Sequence, residues 1–295
     1  MGERGLPVKA ADGRTLMVAQ WGDLEGFPVF NLHGSPGSRF ARHYDEGVYA
    51  GVGVRVITYD RPGYGRSDRH RGRRVVDAVW DIASIADAFG IDRFAVTGGS
   101  GGGPHSLAVA ARLPERVTRA ACDAGVAPFD TPDFDWFEGM DPMNVREFDW
   151  ALEGEDVLFR EYTREAAEQL ERVADDPSNL LGDEWSLSES DRTQMALPRR
   201  QETIREMITE AYRNGVWGMV DDMLAFKEPW GFDVEEIRVP TRIGYGLTDV
   251  LVPRQHGDWL GRNVPGAEVV IDEEGGHLPD PERIAENYSW LAGAA

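Results

Sequence analysis

The sequence predicts an α/β fold in which a mostly parallel, eight-stranded sheet carries helices on both faces and a helical cap is inserted into the core. Strand-like and helix-like patterns alternate as far as Ala127 and again from Val239 onward, and this alternation is typical of such a sheet. Between these parts, residues 129–232 break the alternation and place their apolar side chains at helical spacing. We therefore expect a core domain formed by residues 1–128 and 233–295, with the cap at 129–232.

Turn residues and apolar runs predict the individual elements. Residues 6–11 and 15–19 have the pattern of a hairpin around Asp12 and Gly13, a pair that favours tight turns. Short apolar runs predict further strands at 29–32, 54–59, 94–96, 241–246 and 268–271. Helical spacing predicts core helices at 75–89, 106–113 and 282–291, and cap helices at 144–153, 155–174, 188–215 (in one or two pieces) and 217–227.

Residues 98–102, Gly-Gly-Ser-Gly-Gly, lie between a predicted strand and a predicted helix. Gly-x-Ser-x-Gly in this setting is the pattern of a nucleophile elbow, where the serine tops a sharp turn. The glycines leave room for that turn, and the helix N-terminus favours negative charge beside Ser100. A Walker-type phosphate loop would need Gly-Lys followed by Ser or Thr, which the sequence lacks here. Ser100 is therefore the candidate nucleophile.

Two further motifs precede the elbow: His-Gly-Ser-Pro-Gly at 33–37 and Asp-Arg-Pro-Gly-Tyr-Gly-Arg-Ser at 60–67, each after a predicted strand. In this order and at these spacings, the three motifs resemble the α/β-hydrolase superfamily. The resemblance covers nearly the whole chain except the middle segment, and it says little about the substrate. It implies an oxyanion hole formed by the backbone N–H groups of Ser35 and Gly101.

The resemblance also implies the two partners of the serine. Asp249 follows the strand predicted at 241–246, and His277 follows the last predicted strand after two glycines. The chain order serine, aspartate, histidine is the one that this superfamily uses. His277 would take the proton of the attacking hydroxyl, and Asp249 would orient the histidine and stabilise its charged form. Asp123, near the end of the strand before the cap, stays open as the alternative acid.

The cap holds five of the nine tryptophans of the chain. Most of them are expected to pack inside the cap, because a helical segment needs an apolar core. A minority of the apolar cap residues should line a pocket above the nucleophile, and the candidates are Trp136, Phe137, Met140 and Trp217. On the core side, His33 is expected either to order its own loop or to contact the substrate.

The cap is also acidic, with 26 Asp and Glu against 10 Lys and Arg. Carboxylates on the solvent face of a helical lid would account for this excess. Alternatively, one or two carboxylates face inward and pair with a substrate ammonium group. Resemblance to the prolyl aminopeptidases of the superfamily implies the second arrangement, since they hold the substrate amine with cap glutamates. The chain departs from them at Ser35, where they usually have glycine, and at Gly101, where they usually have tryptophan.

Composition limits partners and location. A formal net charge of −21 disfavours binding to nucleic acid or to anionic membranes. The single cysteine, Cys122, excludes an internal disulfide and favours a reducing compartment. The N-terminus lacks a signal-peptide pattern and no apolar run approaches membrane-spanning length, so a cytoplasmic location is expected. Zinc and calcium motifs are absent from the sequence, and a homodimer stays open as an assembly state.

These observations predict a serine hydrolase that needs no cofactor or metal. The expected substrate is a small ester, lactone or related acyl compound, cleaved through an acyl-enzyme on Ser100. An aminopeptidase or amidase that uses cap carboxylates to hold an amine is the alternative enzyme. The alternative of another class is a non-catalytic binder of a small molecule, because a fold can be kept after its activity is lost.

Overall fold

The computed structural model describes residues 4–129, 131–132 and 134–293. The strands within these residues form one eight-stranded sheet. The strands are β1 (Leu6–Lys9), β2 (Thr15–Gly22), β3 (Phe27–Leu32), β4 (Val54–Tyr59), β5 (Phe94–Gly99), β6 (Val117–Asp123), β7 (Thr241–Gly246) and β8 (Glu268–Asp272). Their order across the sheet is β1-β2-β4-β3-β5-β6-β7-β8. The pairs β1–β2 and β2–β4 are antiparallel and the other neighbours are parallel, which confirms the predicted architecture and the N-terminal hairpin.

The helices fall into two groups along the chain. In chain order they are α1 (Gly47–Gly51), α2 (Ala78–Ala88), α3 (Gly102–Arg112), α4 (Pro142–Glu153), α5 (Glu155–Asp175), α6 (Glu189–Met195), α7 (Pro198–Ala211), α8 (Trp217–Lys227), α9 (Arg254–Asn263) and α10 (Pro281–Leu291). Short 3₁₀ turns lie at Val75–Asp77, Pro177–Asn179 and Val234–Glu236. Helices α4 to α8 form the cap between β6 and β7, and the others belong to the core.

The cap is helical, as the sequence predicts, and the stretch 188–215 contains two helices. The break between α6 and α7 falls at Leu197, and Pro198 is the first residue of α7. Proline has no N–H to donate and clashes with the preceding turn, so it is tolerated at the start of a helix but not inside one. Pro198 therefore accounts for the break and decides between one helix and two, which the sequence analysis left open.

The buried side chains of the central strands alternate between two apolar layers. Phe30 and Ile57 belong to the larger layer, which includes the buried faces of α2 and α3. Their chain neighbours Val29 and Val56 belong to the smaller layer, which includes those of α1 and α10. A period of two is what strand geometry gives when both faces of a sheet are covered by helices. The helices thus hold the sheet from both sides and leave the strand ends to carry loops.

Buried carboxylates join the cap to the core. Asp222 of α8 lies 2.6 Å from a guanidinium nitrogen of Arg61 and 2.7 Å from one of Arg73. Glu210 of α7 lies 2.6 Å from Arg39 in the same way. Guanidinium groups suit such buried ion pairs, because several N–H donors can satisfy one carboxylate. The carboxylates of the cap are therefore not confined to its solvent face, because some of them bind core arginines and attach the cap to the core.

Candidate active site

The serine predicted as nucleophile lies at the turn between β5 and α3. Ser100 has a φ of +53°, a left-handed conformation that a residue with a side chain rarely adopts, and its N–H donates to the Asp123 carbonyl at 2.9 Å. A Cβ on Gly98 would lie 2.2 Å from the Gly102 carbonyl oxygen, and one on Gly102 would lie 2.0 Å from the Leu32 carbonyl oxygen. Both glycines are therefore needed for the tight turn. A strained serine at this turn is typical of a nucleophile elbow.

The loop after β3 lies directly against the elbow. A Cβ on Gly34 would lie 3.4 Å from the Cβ of Ser100. A Cβ on Gly101 would lie only 2.4 Å from the hydroxyl oxygen of Ser35. The peptide bond between Ser35 and Pro36 is cis. The structure therefore brings together Ser35, Ser100 and Gly101, the three residues that the sequence assigns to the nucleophile and the oxyanion hole.

A carboxylate from the cap holds the side chain of Ser35. The Ser35 hydroxyl donates to Asp222 Oδ2 at 2.5 Å and accepts from Arg61 Nη2 at 2.9 Å. Asp222 also accepts from the Tyr64 hydroxyl at 2.8 Å. Burial raises the pKa of Asp222, but the charges of Arg61 and Arg73 outweigh it and hold the pKa well below its ordinary value. Asp222 was not predicted from the sequence. The one signal of a side-chain partner in this loop was Ser35 itself, which stands where the prolyl aminopeptidases that the sequence resembles usually have glycine.

His33 orders the same loop. Its Nε2 accepts the Arg61 N–H at 3.1 Å, so Nδ1 carries the proton and donates to the Gly34 carbonyl at 2.7 Å. Burial and the charge of Arg61 hold the pKa of His33 well below its ordinary value, which keeps the ring neutral. His33 also lies in the wall of the cavity above Ser100, although both of its ring nitrogens are engaged with the protein.

The loops after β7 and β8 bring a carboxylate to a histidine. Nδ1 of His277 lies 2.8 Å from Asp249 Oδ2, and Asp249 Oδ1 accepts the N–H groups of Leu251 at 2.8 Å and Val252 at 2.9 Å. Burial lowers the pKa of His277, but the charge and hydrogen bond of Asp249, together with the charge of Asp191, outweigh it and raise the pKa above its ordinary value. With the proton held on Nδ1, Nε2 of the neutral ring can accept another.

The alternative acid, Asp123, has a different partner. Its Oδ2 accepts a hydrogen bond from the side-chain amide of Asn287 at 2.9 Å. Burial raises the pKa of Asp123, against the opposing charges of Arg283 and Arg242. Of the two aspartates that the sequence left open, Asp249 is therefore the one that the structure brings to His277.

A cavity of about 450 Å³ extends from Ser100 and His277 into the cap. Apolar side chains form much of its cap wall: Leu180, Leu181, Trp185, Leu187, Met195, Ile204, Met207 and Met219. A volume of this size and an apolar wall suit a small organic ligand. The cavity therefore places an apolar binding space directly above the elbow.

Three carboxyl groups of the cap line the same cavity, those of Glu147 on α4, Glu165 on α5 and Asp191 on α6. Glu147 accepts a hydrogen bond from the Tyr162 hydroxyl at 3.0 Å. Burial, reinforced by the nearby charge of Glu165, raises the pKa of Glu147 to about 8, and burial raises that of Glu165 to about 7. The sequence analysis allowed for inward carboxylates without identifying them, since helical spacing does not show which face meets a cavity.

The four apolar cap residues predicted for the pocket lie elsewhere, and that prediction is wrong. Among the described residues that line the cavity, none of the four is present. Trp136 donates its indole N–H to the Ala127 carbonyl at 2.9 Å and packs at 4.3 Å from the ring of Phe148. Phe137 and Met140 belong to the same apolar core. Trp217 stacks on Phe159 at 4.2 Å, with the Arg69 guanidinium 3.7 Å from its ring.

Within residues 4–129, 131–132 and 134–293, no three His, Cys, Asp or Glu side chains are arranged to hold a metal ion. Over the same ranges, no helix has both the length and the apolar composition required to cross a bilayer.

The mostly parallel sheet, the elbow serine at the end of β5 and the helical cap between β6 and β7 define an α/β hydrolase. The chain belongs to this family, since the family model for the alpha/beta hydrolase fold matches residues 28–280. Membership supports hydrolase activity, and it leaves the bond that is cleaved to be determined from the site.

Individual relatives include enzymes that act on different bonds. A proline iminopeptidase from Xylella fastidiosa is 26% identical, over 92% of this chain and 90% of the relative. A 2-hydroxymuconate semialdehyde hydrolase from Pseudomonas putida is 28% identical, over 97% of this chain and 94% of the relative. Among solved structures, a thermophilic esterase from Thermogutta terrifontis superposes with a TM-score of 0.70 at 23% identity, covering 98% of both chains.

Proposed function

We propose that this protein is a serine hydrolase that cleaves a small ester, lactone or related acyl substrate through an acyl-enzyme on Ser100. The observation that carries the proposal is the arrangement at one cavity. A serine held at a strained elbow and the histidine paired with Asp249 at 2.8 Å line the same space. A neutral serine hydroxyl is a weak nucleophile, and a histidine that accepts its proton is the common way to activate it.

In the proposed reaction, the Ser100 oxygen attacks the substrate carbonyl while Nε2 of His277 takes the hydroxyl proton. The Asp249 carboxylate stabilises the imidazolium that forms and stays ionised itself. The imidazolium then gives its proton to the leaving group as the carbonyl–leaving-group bond breaks. Attack by a water molecule on the acyl-enzyme, with His277 again as base, releases the acid and restores Ser100.

Each tetrahedral intermediate in this scheme places negative charge on the former carbonyl oxygen. We assign its stabilisation to the backbone N–H groups of Ser35 and Gly101, which lie on touching loops beside the nucleophile. Loss of one such donor typically costs about 3–4 kcal/mol of transition-state stabilisation. The hydrogen bonds that the Ser35 hydroxyl donates to Asp222 and accepts from Arg61 support this role, because they hold the donor loop in one position.

Two of the carboxyl groups in the cavity wall, those of Glu147 and Glu165, favour a second candidate substrate, an acyl group that carries an amine. Glu147 and Glu165 lie in the cavity wall, and their pKa values are raised to about 8 and about 7. A substrate ammonium group placed beside them would favour their ionised forms and gain two charge-assisted hydrogen bonds. This arrangement would serve an aminopeptidase or an amidase with the same catalytic residues.

A pre-steady-state assay with p-nitrophenyl acetate and butyrate tests the main proposal. Wild-type protein should release a burst of p-nitrophenol equal to the enzyme concentration, and Ser100→Ala should release none. If neither protein shows a burst and their rates are equal, the acyl-enzyme proposal fails. A non-catalytic binder then becomes the better interpretation.

Matched amide substrates test the second candidate. An alanine p-nitroanilide with a free amine should be cleaved faster than its N-acetylated form. Glu147→Gln and Glu165→Gln should each remove that preference while leaving cleavage of p-nitrophenyl butyrate unchanged. Equal rates on the free and acetylated substrates would exclude the amine site.

A further inference from the structure

Asp191, another buried carboxylate of the cap, bonds to the loop that carries His277. Asp191 of α6 is only 1% exposed. Its Oδ1 accepts the backbone N–H of Leu278 at 2.7 Å, and its Oδ2 accepts the hydroxyl of Ser188 at 2.8 Å. Ser188 is the N-cap of α6, and its oxygen in turn accepts the Asp191 N–H at 3.1 Å. The helix start therefore fixes the carboxylate, and the carboxylate fixes the residue after His277.

The residue before His277 meets the same group. A Cβ on Gly276 would lie 2.3 Å from Asp191 Oδ2 and 2.3 Å from the Ser188 hydroxyl oxygen. Only glycine leaves space for this close approach, which gives the second glycine of the Gly-Gly-His sequence a physical reason. Asp191 thus contacts the loop on both sides of His277, at positions 276 and 278.

We infer that Asp191 is a positioning residue for the base of the reaction. By holding Gly276 and Leu278, it fixes where the imidazole of His277 lies relative to Ser100. By placing a carboxylate near the ring, it also favours the imidazolium that forms when the serine is deprotonated. This inference rests on the proposed function for the role of His277, but the contacts themselves do not.

The charged groups around this loop come from four elements. Asp249 follows β7, Asp191 lies on α6, Arg200 lies on α7 and Asp280 caps α10. Arg200 donates to the Pro279 carbonyl at 3.0 Å, and its charge interacts with those of Asp191 and Asp280. Against the lowering effect of burial, Asp249 and Asp191 are the two groups whose charges raise the pKa of His277.

Two substitutions separate the contact from the charge. Asp191→Asn keeps an oxygen that can accept the Leu278 N–H but removes the negative charge. Asp191→Ala removes both. If Asp191 acts on His277, the Asn variant should lower the pKa of His277 by about half a unit or more, and its activity should extend to lower pH. The Ala variant should in addition lose about 10- to 100-fold in kcat, since the base is no longer held in place.

The experiment is an NMR titration of the His277 ring in the Ser100→Ala background, with pH profiles of kcat/KM for the variants that retain Ser100. Glu189→Gln is the matched control, because it removes a negative charge from an exposed position on the same helix. The inference requires that Asp191→Asn lowers both the titration midpoint and the acid limb of the profile, whereas Glu189→Gln moves neither. Equal midpoints in Asp191→Asn and Glu189→Gln would overturn it.

The titration measures the pKa of His277 and needs no turnover, so it tests the role of Asp191 even if the proposed function fails. Failure of the proposed function would appear instead as equal hydrolysis by wild type and Ser100→Ala. Should Asp191→Ala fail to fold, the isosteric Asn variant alone decides the question. An Asn variant with lower activity at every pH and an unchanged midpoint would reduce Asp191 to a structural contact.

Discussion

The core and the cap face the same cavity but are built in different ways. On the core side, Ser100 and Asp249 sit on short connections after parallel strands, where backbone N–H and carbonyl groups fix them. On the cap side, helices form an apolar wall, and two of the buried carboxylates reach across to the core loops beside Ser100 and His277. Asp222 bonds to Ser35 beside the elbow, and Asp191 bonds to the backbone after His277.

Because the two regions are built differently, substitutions in the core and in the cap should have different effects. The groups proposed to form or break bonds with the substrate lie on the core, so their loss should abolish turnover. The cap contributes the apolar wall of the cavity, buried charges and the ion pairs that attach it to the core. Substitutions in the cap should therefore change stability, pH dependence or selectivity while some turnover remains. The predictions below test that division, beginning with the core.

The largest effect is expected from the groups proposed to react. Ser100→Ala and His277→Ala should each reduce kcat by about 10⁶-fold, and the double variant should lose little more, because the two residues act as a unit. Asp249→Asn should cost about 10⁴-fold. Single-turnover rates on p-nitrophenyl butyrate measure all four. If Asp123→Asn were more damaging than Asp249→Asn, the assignment of the acid would be wrong.

The next largest effect should come from Asp222, the cap carboxylate that holds the loop of the proposed oxyanion hole. Asp222→Asn would leave Arg61 and Arg73 buried without their charge partner, and we expect a loss of about 3–5 kcal/mol in the free energy of unfolding. Because Ser35 loses its charged acceptor, kcat should also fall, by about 10- to 100-fold. Urea unfolding and steady-state rates measure the two effects.

Asp221→Asn is the matched control for Asp222. Asp221 is the adjacent residue of α8, and its carboxylate pairs at 2.8 Å with Arg69 rather than with the loop of Ser35. This variant should lose stability but keep kcat. A parallel loss of kcat in both variants would mean that the cap acts on the rate through its overall stability, and the link through Ser35 would be unnecessary.

Most residues of the candidate site on the core could be predicted from the sequence, because their motifs depend on local spacing. The elbow needs glycines two residues from Ser100 on each side, and the loop of the proposed oxyanion hole follows directly from β3. The long-range anchors are not visible in this way. Ser35 and Asp222 are 187 residues apart, and Leu278 and Asp191 are 87 apart. Pairing at such separations is decided by how the cap docks, which no single motif encodes.

The error over the pocket residues has a related cause. Periodicity shows that a cap residue is apolar and on a buried face, but two buried surfaces are available. One is the apolar interior of the cap, where Trp136 packs against Phe148. The other is the cavity, where Trp185 lies. Helix docking separates the two, so composition alone predicted the pocket's apolar character and missed its members.

A smaller, pH-dependent effect is expected from the buried carboxyl of Glu147. Its pKa is raised from 4.5 to about 8 in the folded protein, so folding favours the protonated form. The resulting stabilisation is complete below about pH 4 and is lost as the pH rises through 8. Glu147→Gln avoids that loss, and we expect it to exceed the wild type by about 1–3 kcal/mol at pH 9.

The measurement is urea unfolding at pH 5 and pH 9, with Glu153→Gln as control. Glu153 lies on the same helix at an exposed position, so its replacement should give the same small difference at both pH values. The prediction for Glu147 is a difference that grows with pH. A difference that is equal at pH 5 and pH 9 would show that Glu147 is not held protonated, and the cavity wall would then carry a permanent negative charge.

The smallest effect is expected from the two tryptophans that the cap places on different surfaces. Trp185 lines the cavity and Trp217 stacks on Phe159 outside it. Trp185→Ala enlarges the cavity, so that a longer acyl chain can fit. The preference among p-nitrophenyl esters should therefore shift from butyrate towards octanoate, by about tenfold in the ratio of kcat/KM values. Trp217→Ala should lower the free energy of unfolding and leave that ratio unchanged. An equal shift of the ratio in Trp217→Ala and Trp185→Ala would contradict this prediction. Selectivity would then depend on the overall packing of the cap rather than on the residues that line the cavity.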